Sequence, residues 1–379
     1  MFHVKHSFDV QDLCSTMAKV LARIEDRPRR AGSPMIETFT ISRDDSTYEC
    51  FPDVCRTDSG RLVITWRESD NHSANEYTHL FFRTSDDEGR TWSEKTCIAR
   101  SEIEDGELFK WNCPRVSRIS DGRILLICDG FTRRPGETDS QAESTTWIWT
   151  STDDGESFSD PVDTGIPGIV PDQVIELETG RLLIATHRRL VEMAPTIYRQ
   201  MVHLSDDGGE TWRGPITVCC THRYDACEAS IVQMPGGELV CYMRDNSRTG
   251  RPGPKCISLN DGEDWLGPFD TPMNGCHRPV SGLTASGHVM VLHRHQPGHG
   301  PFAKNLFAYR ETVESALSLP HEEQTGVILP LDHDSSDHSD SSYCGWVELQ
   351  AGRFFVVNYI NDDAPMAQIR GMYFTEDEF

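Results

Sequence analysis

The stretch RTSDDEGRTWSE, residues 83–94, contains a motif that recurs along the chain. The motif reads S-x-[DN]-x-G-x-x-[WF], and its four copies begin at Ser85, Ser151, Ser205 and Ser258. The intervals are 66, 54 and 53 residues, and such periods are typical of propellers and other repeat architectures. We interpret the motif as a turn, because Ser and Asp side chains bond to turn backbone, Gly adopts positive φ and Trp packs between neighbouring elements.

A second repeated unit consists of an apolar strand, a turn that closes at glycine and another apolar strand, the pattern of a β-hairpin. Six such units occupy residues 51–67, 113–129, 171–187, 228–244, 277–294 and 343–359. Six units of four strands predict an all-β fold, a six-bladed β-propeller over residues 35–379. The last unit lacks a fourth strand, and we expect residues 35–42 to supply it and so to cover the exposed edge.

Residues 1–34 are predicted to be a short helical extension. Apolar residues recur there at helical spacing: Val10, Leu13, Met17, Val20, Leu21 and Ile24. The segment lacks the continuous apolar core of a secretory signal, and we expect a cytoplasmic protein. The 13 cysteines include no C-x-x-C pair, which favours buried free thiols in a reducing compartment.

The composition excludes several classes of partner. The net charge is -24, from 36 basic and 60 acidic residues, which argues against a nucleic-acid surface. No apolar run approaches the roughly 18 residues of a membrane span, so no membrane partner is expected. An anionic substrate would need a local cluster of arginines against this background charge.

Polar and charged residues recur where the first strand of a unit begins and the second ends, positions that should share one face of the ring. They are Arg67, Arg115, Glu228, Arg244, Arg278, Arg294 and Tyr343. One interpretation is an ion-pair network that lines a wet channel. The other is a cavity in which arginines bind a carboxylate or phosphate bidentately.

With these repeats, the sequence resembles the sialidase (neuraminidase) superfamily, whose members carry Asp-box repeats on a six-bladed propeller. The segment CEASIVQMPGGELVCYMRDNS places Glu228 and Arg244 where the family has a catalytic glutamate and an arginine. The segment SSYCGWVELQAGRF places Tyr343 where the family has its nucleophile. The resemblance covers nearly the whole chain after about residue 35.

A third segment, ITWRESDNHSANEY, offers Arg67 as a further family arginine and Asp70 as the acid/base residue. The family pattern around that aspartate is blurred here, and Asn71, His72 and Glu76 compete with Asp70 for the role.

The chain departs from the family's carboxylate-binding arginine triad. The arginine of the first-blade segment is lost in ECFPDV, and the third arginine is replaced by Lys304 or by nothing. Arg115 and Arg278 project from other units, and we expect them to compensate. Arg294 is a further expected substrate-binding residue.

The resemblance implies an exo-glycosidase that hydrolyses a terminal acidic, sialic-acid-like sugar of a glycan with retention of configuration. Tyr343 would be the nucleophile, Glu228 its base, Arg244 the ligand of the sugar carboxylate that also favours the phenolate, and Asp70 the acid/base. A carboxylate nucleophile would meet the sugar's own carboxylate at a cost on the order of 4 kcal/mol, whereas a neutral phenol avoids this repulsion. No cofactor or metal is implied.

Alternatives remain open. A glycosidase or lyase of the same fold could act on a uronate or neutral sugar, with His187, Arg188 and Tyr359 involved. A non-catalytic carbohydrate-binding propeller is another. In that case Tyr343 would bond to backbone, and Glu228 and Arg244 would only pair with each other.

Two further segments carry weaker signals. His293 and His295 share a strand face, which could suggest a metal, but no matching ligand spacing follows. The acidic loop LDHDSSDHSDSSY at 331–343 is interpreted as a solvated loop, with a lid, a Ca²⁺ loop or a contact in a homo-oligomer as alternatives.

Overall fold

The structure is a computed structural model that describes residues 36–134, 143–247, 249, 251–298 and 303–379. Within these ranges the protein is all-β, with 25 strands and three short helices. Residues 36–377 belong to one compact unit. The helical extension predicted for residues 1–34 lies outside the described residues.

The strands of the first half are β1 (Glu37–Ser42), β2 (Tyr48–Arg56), β3 (Leu62–Ser69), β4 (Tyr77–Ser85), β5 (Thr96–Glu104), β6 (Glu107–Trp111), β7 (Arg115–Arg118), β8 (Ile124–Arg133), β9 (Thr145–Ser151), β10 (Val162–Pro167), β11 (Ile175–Glu176), β12 (Leu182–Leu190) and β13 (Ile197–Ser205). Those of the second half are β14 (Arg213–Cys219), β15 (Ala226–Gln233), β16 (Leu239–Asp245), β17 (Pro252–Ser258), β18 (Leu266–Asn274), β19 (Cys276–Leu283), β20 (His288–His295), β21 (Asn305–Thr312), β22 (Gly326–His333), β23 (Gly345–Gln350), β24 (Arg353–Ile360) and β25 (Gln368–Thr375). The helices are α1 (Val313–Leu317) and two 3₁₀ turns, His321–Glu323 and Glu376–Glu378.

The described strands form five antiparallel sheets. Three are runs of four consecutive strands, β11–β14, β15–β18 and β19–β22. A nine-stranded sheet has the order β10-β9-β8-β6-β5-β4-β3-β2, with β7 paired to β8. The six predicted strand–turn–strand units are all confirmed as hairpins, because β2, β7, β11, β15, β19 and β23 each pair with the strand that follows.

The fifth sheet joins the first described strand to the last, in the order β1-β25-β24-β23. Thr38 lies opposite Met372 and Phe39 opposite Gly371. The Phe39 ring also stacks on Tyr373, with centroids 5.4 Å apart. The prediction that residues 35–42 supply the fourth strand of the last unit is therefore confirmed for the described part of that segment.

The four repeated motifs form the same turn. In the first copy the Ser85 hydroxyl donates to Asp87 at 2.8 Å and accepts from the Gly89 N–H at 2.9 Å. The other copies repeat both hydrogen bonds, with Asn260 in place of the aspartate in the last. Each motif thus closes a strand connection with its own side chains, as predicted.

The first strand of three hairpins is irregular near its start. Phe51, Glu228 and Arg278 have φ of 58°, 46° and 48°, and the β2–β3, β15–β16 and β19–β20 ladders shift register at these points. Val170 and Ser342, just before β11 and β23, also have positive φ. Such bulges bend a strand and redirect one side chain out of the sheet's alternation.

Two turn glycines allow a test of how the repeated motif packs. Gly122 and Gly155 have φ of 90° and 80°, so both favour glycine. A Cβ on Gly122 would meet nothing within 4 Å, whereas one on Gly155 would lie 2.6 Å from Val63 Cγ2. We expect Gly122→Ala to lower the free energy of unfolding by about 1 kcal/mol from backbone strain and Gly155→Ala by roughly 3 kcal/mol, measured by urea denaturation. Equal losses would contradict the packing described.

Candidate active site

A pocket of about 460 Å³ opens where the irregular strand ends and their loops meet. Its charged or titratable lining residues include His72, Glu228, Arg244, Arg294, Lys304 and Tyr343. They come from four different sheets or their connections, so the pocket depends on the fold of the whole described unit.

Glu228, Tyr343 and Arg244 form a hydrogen-bonded trio in this pocket. The Tyr343 hydroxyl donates to Glu228 Oε1 at 2.6 Å. Arg244 Nη1 donates to the same carboxylate oxygen at 2.9 Å and to the Tyr343 hydroxyl at 3.1 Å. The structure thus brings together the three residues that the sequence analysis placed at the ends of separate strands.

Local backbone geometry aims these side chains. Glu228 lies in the bulge of β15, and its N–H donates to His187 Nδ1 at 3.2 Å. Arg244 ends β16 opposite Cys227, so it neighbours Glu228 across the hairpin. Before Tyr343, the Ser342 N–H donates to Asn358 Oδ1 at 2.9 Å, which fixes the turn into β23.

Within the trio, the pKa of the carboxylic acid is lowered and the pKa of the phenol is raised. Burial alone would raise the pKa of Glu228, but Arg244 and the Tyr343 hydrogen bond outweigh it and lower that pKa to about 2. Burial raises the pKa of Tyr343 above its ordinary value, and the Glu228 carboxylate adds to the effect. In the free protein the pair is therefore a carboxylate and a phenol. Arg244 favours the phenolate, as expected from the sequence, but burial and the Glu228 carboxylate outweigh its effect on the pKa of Tyr343.

Asp340 organises a second polar cluster beside the trio. Its Oδ1 accepts hydrogen bonds from Lys304 Nζ at 2.7 Å, Arg294 Nη2 at 3.3 Å and the Tyr359 hydroxyl at 3.0 Å. Its Oδ2 accepts a hydrogen bond from the Tyr48 hydroxyl and lies 2.5 Å from His72 Nδ1.

The charged groups around Asp340 stabilise its ionised form. Burial alone would raise the pKa of Asp340, yet the His72 hydrogen bond and the charges of Arg294 and Lys304 hold it well below its usual range. Arg294 in turn lies over the Tyr343 ring, 4.3 Å from the centroid, which links the cluster to the trio.

Arg67 and Asp70 lie behind the pocket wall rather than on it. Arg67 is buried, stacks on Phe51 at 4.6 Å and donates from Nη2 to the His72 carbonyl at 2.7 Å. Asp70 Oδ1 accepts the backbone N–H groups of Asn75 and Glu76 at 2.8 and 3.1 Å. Both residues hold the loop between β3 and β4, and the acid/base role of Asp70 stays a prediction.

Arg115 and Arg278 are fully enclosed and lie outside the pocket lining. Arg115 donates to the Cys344 carbonyl at 2.9 Å and lies 3.3 Å from Asp53. Arg278 donates to the Pro171 carbonyl at 2.8 Å. In the free protein these two arginines connect strand ends, and the structure gives them no contact with the pocket that the sequence analysis expected them to line.

The two histidines considered as metal ligands, His293 and His295, contact neighbouring protein groups. His293 Nδ1 lies 3.0 Å from the Arg294 carbonyl, and His295 stacks on Phe307. Within the described residues, no three His, Cys, Asp or Glu side chains converge as metal ligands, and no helix is long and apolar enough to cross a membrane. The twelve cysteines of the described ranges are free and ten of them are buried, as predicted.

Comparison with known families identifies this architecture. The BNR repeat-like domain matches residues 60–356, more than half of the chain. The chain belongs to this BNR repeat-like family. A search of curated proteins finds no match to the sequence.

Solved structures place this BNR repeat-like protein in a sialidase-like fold. A protein of unknown function from Dyadobacter fermentans superposes with a TM-score of 0.74 at 20% identity, over 89% of this chain and 97% of that one. The Hadza microbial sialidase Hz136 gives 0.66 at 17%, over 90% and 68%. An α-L-arabinanase from Penicillium chrysogenum gives 0.60 at 14%, over 91% and 99%. These neighbours share a fold that hosts glycoside hydrolases.

One central residue of this BNR repeat-like protein, Asp340, was not predicted from its sequence. It lies in the acidic loop at 331–343, which was interpreted mainly as solvated. The signal was present, because an acidic residue three positions before Tyr343 cannot lie far from it. His72 was named only as a competitor of Asp70, although it is His72 that lines the pocket.

The low pKa of Glu228 predicts a pH-dependent contribution to stability. The pKa of Glu228 is about 2 in the folded protein against an ordinary value of 4.5, so its contribution is complete above pH 4.5 and is lost as the pH falls toward 2. We expect the stability advantage of the wild type over Glu228→Gln to shrink over that range, by roughly 3 kcal/mol in total. Urea denaturation of both proteins at pH 7 and at successively lower pH measures it. An advantage that does not change with pH would contradict the assignment.

Proposed function

We propose that this protein is a glycoside hydrolase that removes a terminal acidic, sialic-acid-like sugar from the non-reducing end of a glycan with retention of configuration. The observation that carries the proposal is the trio of Glu228, Tyr343 and Arg244, with a phenol donating to a buried carboxylate at 2.6 Å. A neutral nucleophile with an adjacent base suits a sugar whose reacting carbon bears a carboxylate.

In the first step the Tyr343 oxygen attacks the anomeric carbon while its proton passes to Glu228. The bond to the leaving oxygen breaks, and that oxygen takes a proton from an acid/base residue, for which Asp70 is the sequence-based prediction. In the second step water attacks the same carbon, the acid/base residue takes the water proton, and Tyr343 leaves and recovers its proton from Glu228.

The cations of the pocket would bind the sugar carboxylate. Arg244 has one nitrogen, Nε, that is buried and has no hydrogen-bond partner among the described residues. Arg294 and Lys304 also line the pocket. Lys304 is the one residue that the sequence offers in place of the family's third arginine. Together these cations give a negatively charged protein a local positive site.

We infer further that the sheets are six blades around one axis. β2 contacts both β7 and β23, and β15 contacts both β12 and β19. The nine-stranded sheet would comprise two blades, β2–β5 and β7–β10, bridged by β6. The pairing of β1 with β25 would then close the ring.

A second candidate substrate is a glycoside whose anomeric carbon bears no carboxylate, either a neutral sugar or a uronate. Arg294 and Lys304 both contact Asp340, and Arg244 contacts Glu228, so much of the positive charge is already balanced. A uronate or neutral sugar could occupy such a pocket with the same trio.

The test is hydrolysis of aryl glycosides by the wild type, Tyr343→Phe and Glu228→Gln. We expect release of the aryl group from an α-sialoside by the wild type. Tyr343→Phe should lower kcat by at least roughly a thousandfold and Glu228→Gln by roughly a hundredfold or more, because they remove the nucleophile and its base. Aryl uronides and neutral aryl glycosides, assayed in parallel, distinguish the second candidate.

The chain offers a matched control. Tyr242 is also buried and donates to a glutamate, Glu311, at 2.6 Å, but it lies outside the pocket lining. Tyr242→Phe removes the same kind of hydrogen bond and should leave kcat within about threefold of the wild type, whatever it does to stability. If the wild type and all variants bind sialosides but none of them hydrolyses one, the hydrolase proposal would give way to a carbohydrate-binding role.

A further inference from the structure

His72 is the one histidine of the pocket lining whose side chain is half exposed, at 50%. It lies in the loop between β3 and β4 and borders the pocket that holds Tyr343 and Glu228. Its Nδ1 points at Asp340 Oδ2 over 2.5 Å, so this nitrogen is engaged in a hydrogen bond. The other ring nitrogen, Nε2, remains for a ligand.

The surroundings of His72 fix its ring. Phe51 and Tyr48 contact it edge-on, with centroids 5.5 and 6.1 Å away. Its carbonyl accepts from Arg67 at 2.7 Å, and Phe51 in turn contacts the Tyr343 ring at 5.3 Å. A half-exposed ring held by a buried carboxylate and two aromatic neighbours is a pre-organised proton donor and acceptor.

Asp340 is suited to orient that ring and to support its charge. Its own charge is maintained by Arg294 and Lys304, and it is 8% exposed. A carboxylate bonded to Nδ1 fixes the imidazole tautomer and stabilises the imidazolium. The same carboxylate is three residues from Tyr343, so it couples the position of His72 to that of the nucleophile.

We propose that His72 is the acid/base residue of the reaction and that Asp340 is its positioning residue. This inference rests on the proposed function and replaces Asp70, the sequence-based prediction, in one role. Asp70 accepts two backbone N–H groups and the Asn71 amide, so it shapes the loop that carries His72.

With His72 as the acid/base residue and Asp340 as its positioning residue, every proton of the reaction is accounted for. In the proposed first step the protonated form of His72 would donate its Nδ1–H to Asp340, and its Nε2–H would be the proton given to the leaving oxygen. As the Tyr343 oxygen bonds to the anomeric carbon, the leaving oxygen takes the Nε2 proton and departs as an alcohol. Water then attacks the anomeric carbon, its proton returns to Nε2, and the carbon–Tyr343 bond breaks while Glu228 returns the phenol proton.

Dependence on the leaving group tests the role, because an acid is needed only where the departing oxygen is a poor leaving group. We compare kcat/KM on a 4-nitrophenyl glycoside and on a disaccharide of the same terminal sugar. His72→Ala should lower turnover of the disaccharide by roughly a hundredfold or more and that of the nitrophenyl glycoside by less than roughly tenfold. Added azide should then yield a glycosyl azide of retained configuration from the nitrophenyl substrate, since azide needs no base.

Three variants complete the experiment. Asp340→Asn should show the same leaving-group selectivity in weaker form, whereas a merely structural role would lower both activities together. His338→Ala changes an exposed histidine that lines a second pocket together with His72, and this variant should behave as the wild type. Asp70→Asn should lower both activities in parallel, through the loop.

Three results would overturn the inference. Equal losses on both substrates in His72→Ala, without azide product, would exclude the acid/base role while leaving the hydrolase intact. Selective loss in Asp70→Asn instead would return the role to Asp70. If the wild type releases nitrophenol from no glycoside, the proposed function itself fails and the role of His72 fails with it.

Discussion

The pocket exists because β2 and β15 break their hydrogen-bond ladders where they reach it. Glu228 and Phe51 both occupy left-handed backbone at a register shift, a conformation that costs non-glycine residues on the order of 1–3 kcal/mol. The cost is offset locally, since the Glu228 N–H finds His187 and the carboxylate finds Tyr343 and Arg244. A regular strand would send this side chain into the packing between sheets, so the bulge and the polar trio require each other.

Much of the fold could be predicted from the sequence because its strands and turns follow from patterns of a few neighbouring residues. Strand–turn–strand units, serine–aspartate turns and the contribution of β1 to the last sheet each follow from a few adjacent residues. Glu228, Arg244 and Tyr343 were also found, because strand ends can be located by counting from a turn glycine.

The remainder of the site needed three-dimensional information. Position along a strand does not give depth, so Arg115 and Arg278 were expected on the pocket wall although they are enclosed beneath it. Asp340 lies in an irregular loop without periodicity, and its five partners come from five separate stretches of chain. A local sequence pattern cannot identify a residue that contacts side chains from distant parts of the chain.

Under the proposed function, binding of an acidic sugar would change the ionisation of the trio. In the free protein Arg244 keeps Glu228 charged, and the phenol retains its proton because burial and this carboxylate both oppose phenolate. A carboxylate that binds Arg244 would share its charge and weaken its support of Glu228, so the pKa of Glu228 would rise. The same approach would bring the anomeric carbon to the Tyr343 oxygen. Substrate binding would therefore make the base stronger at the moment when the phenol must lose its proton, which a preformed phenolate beside an anionic ligand would not allow.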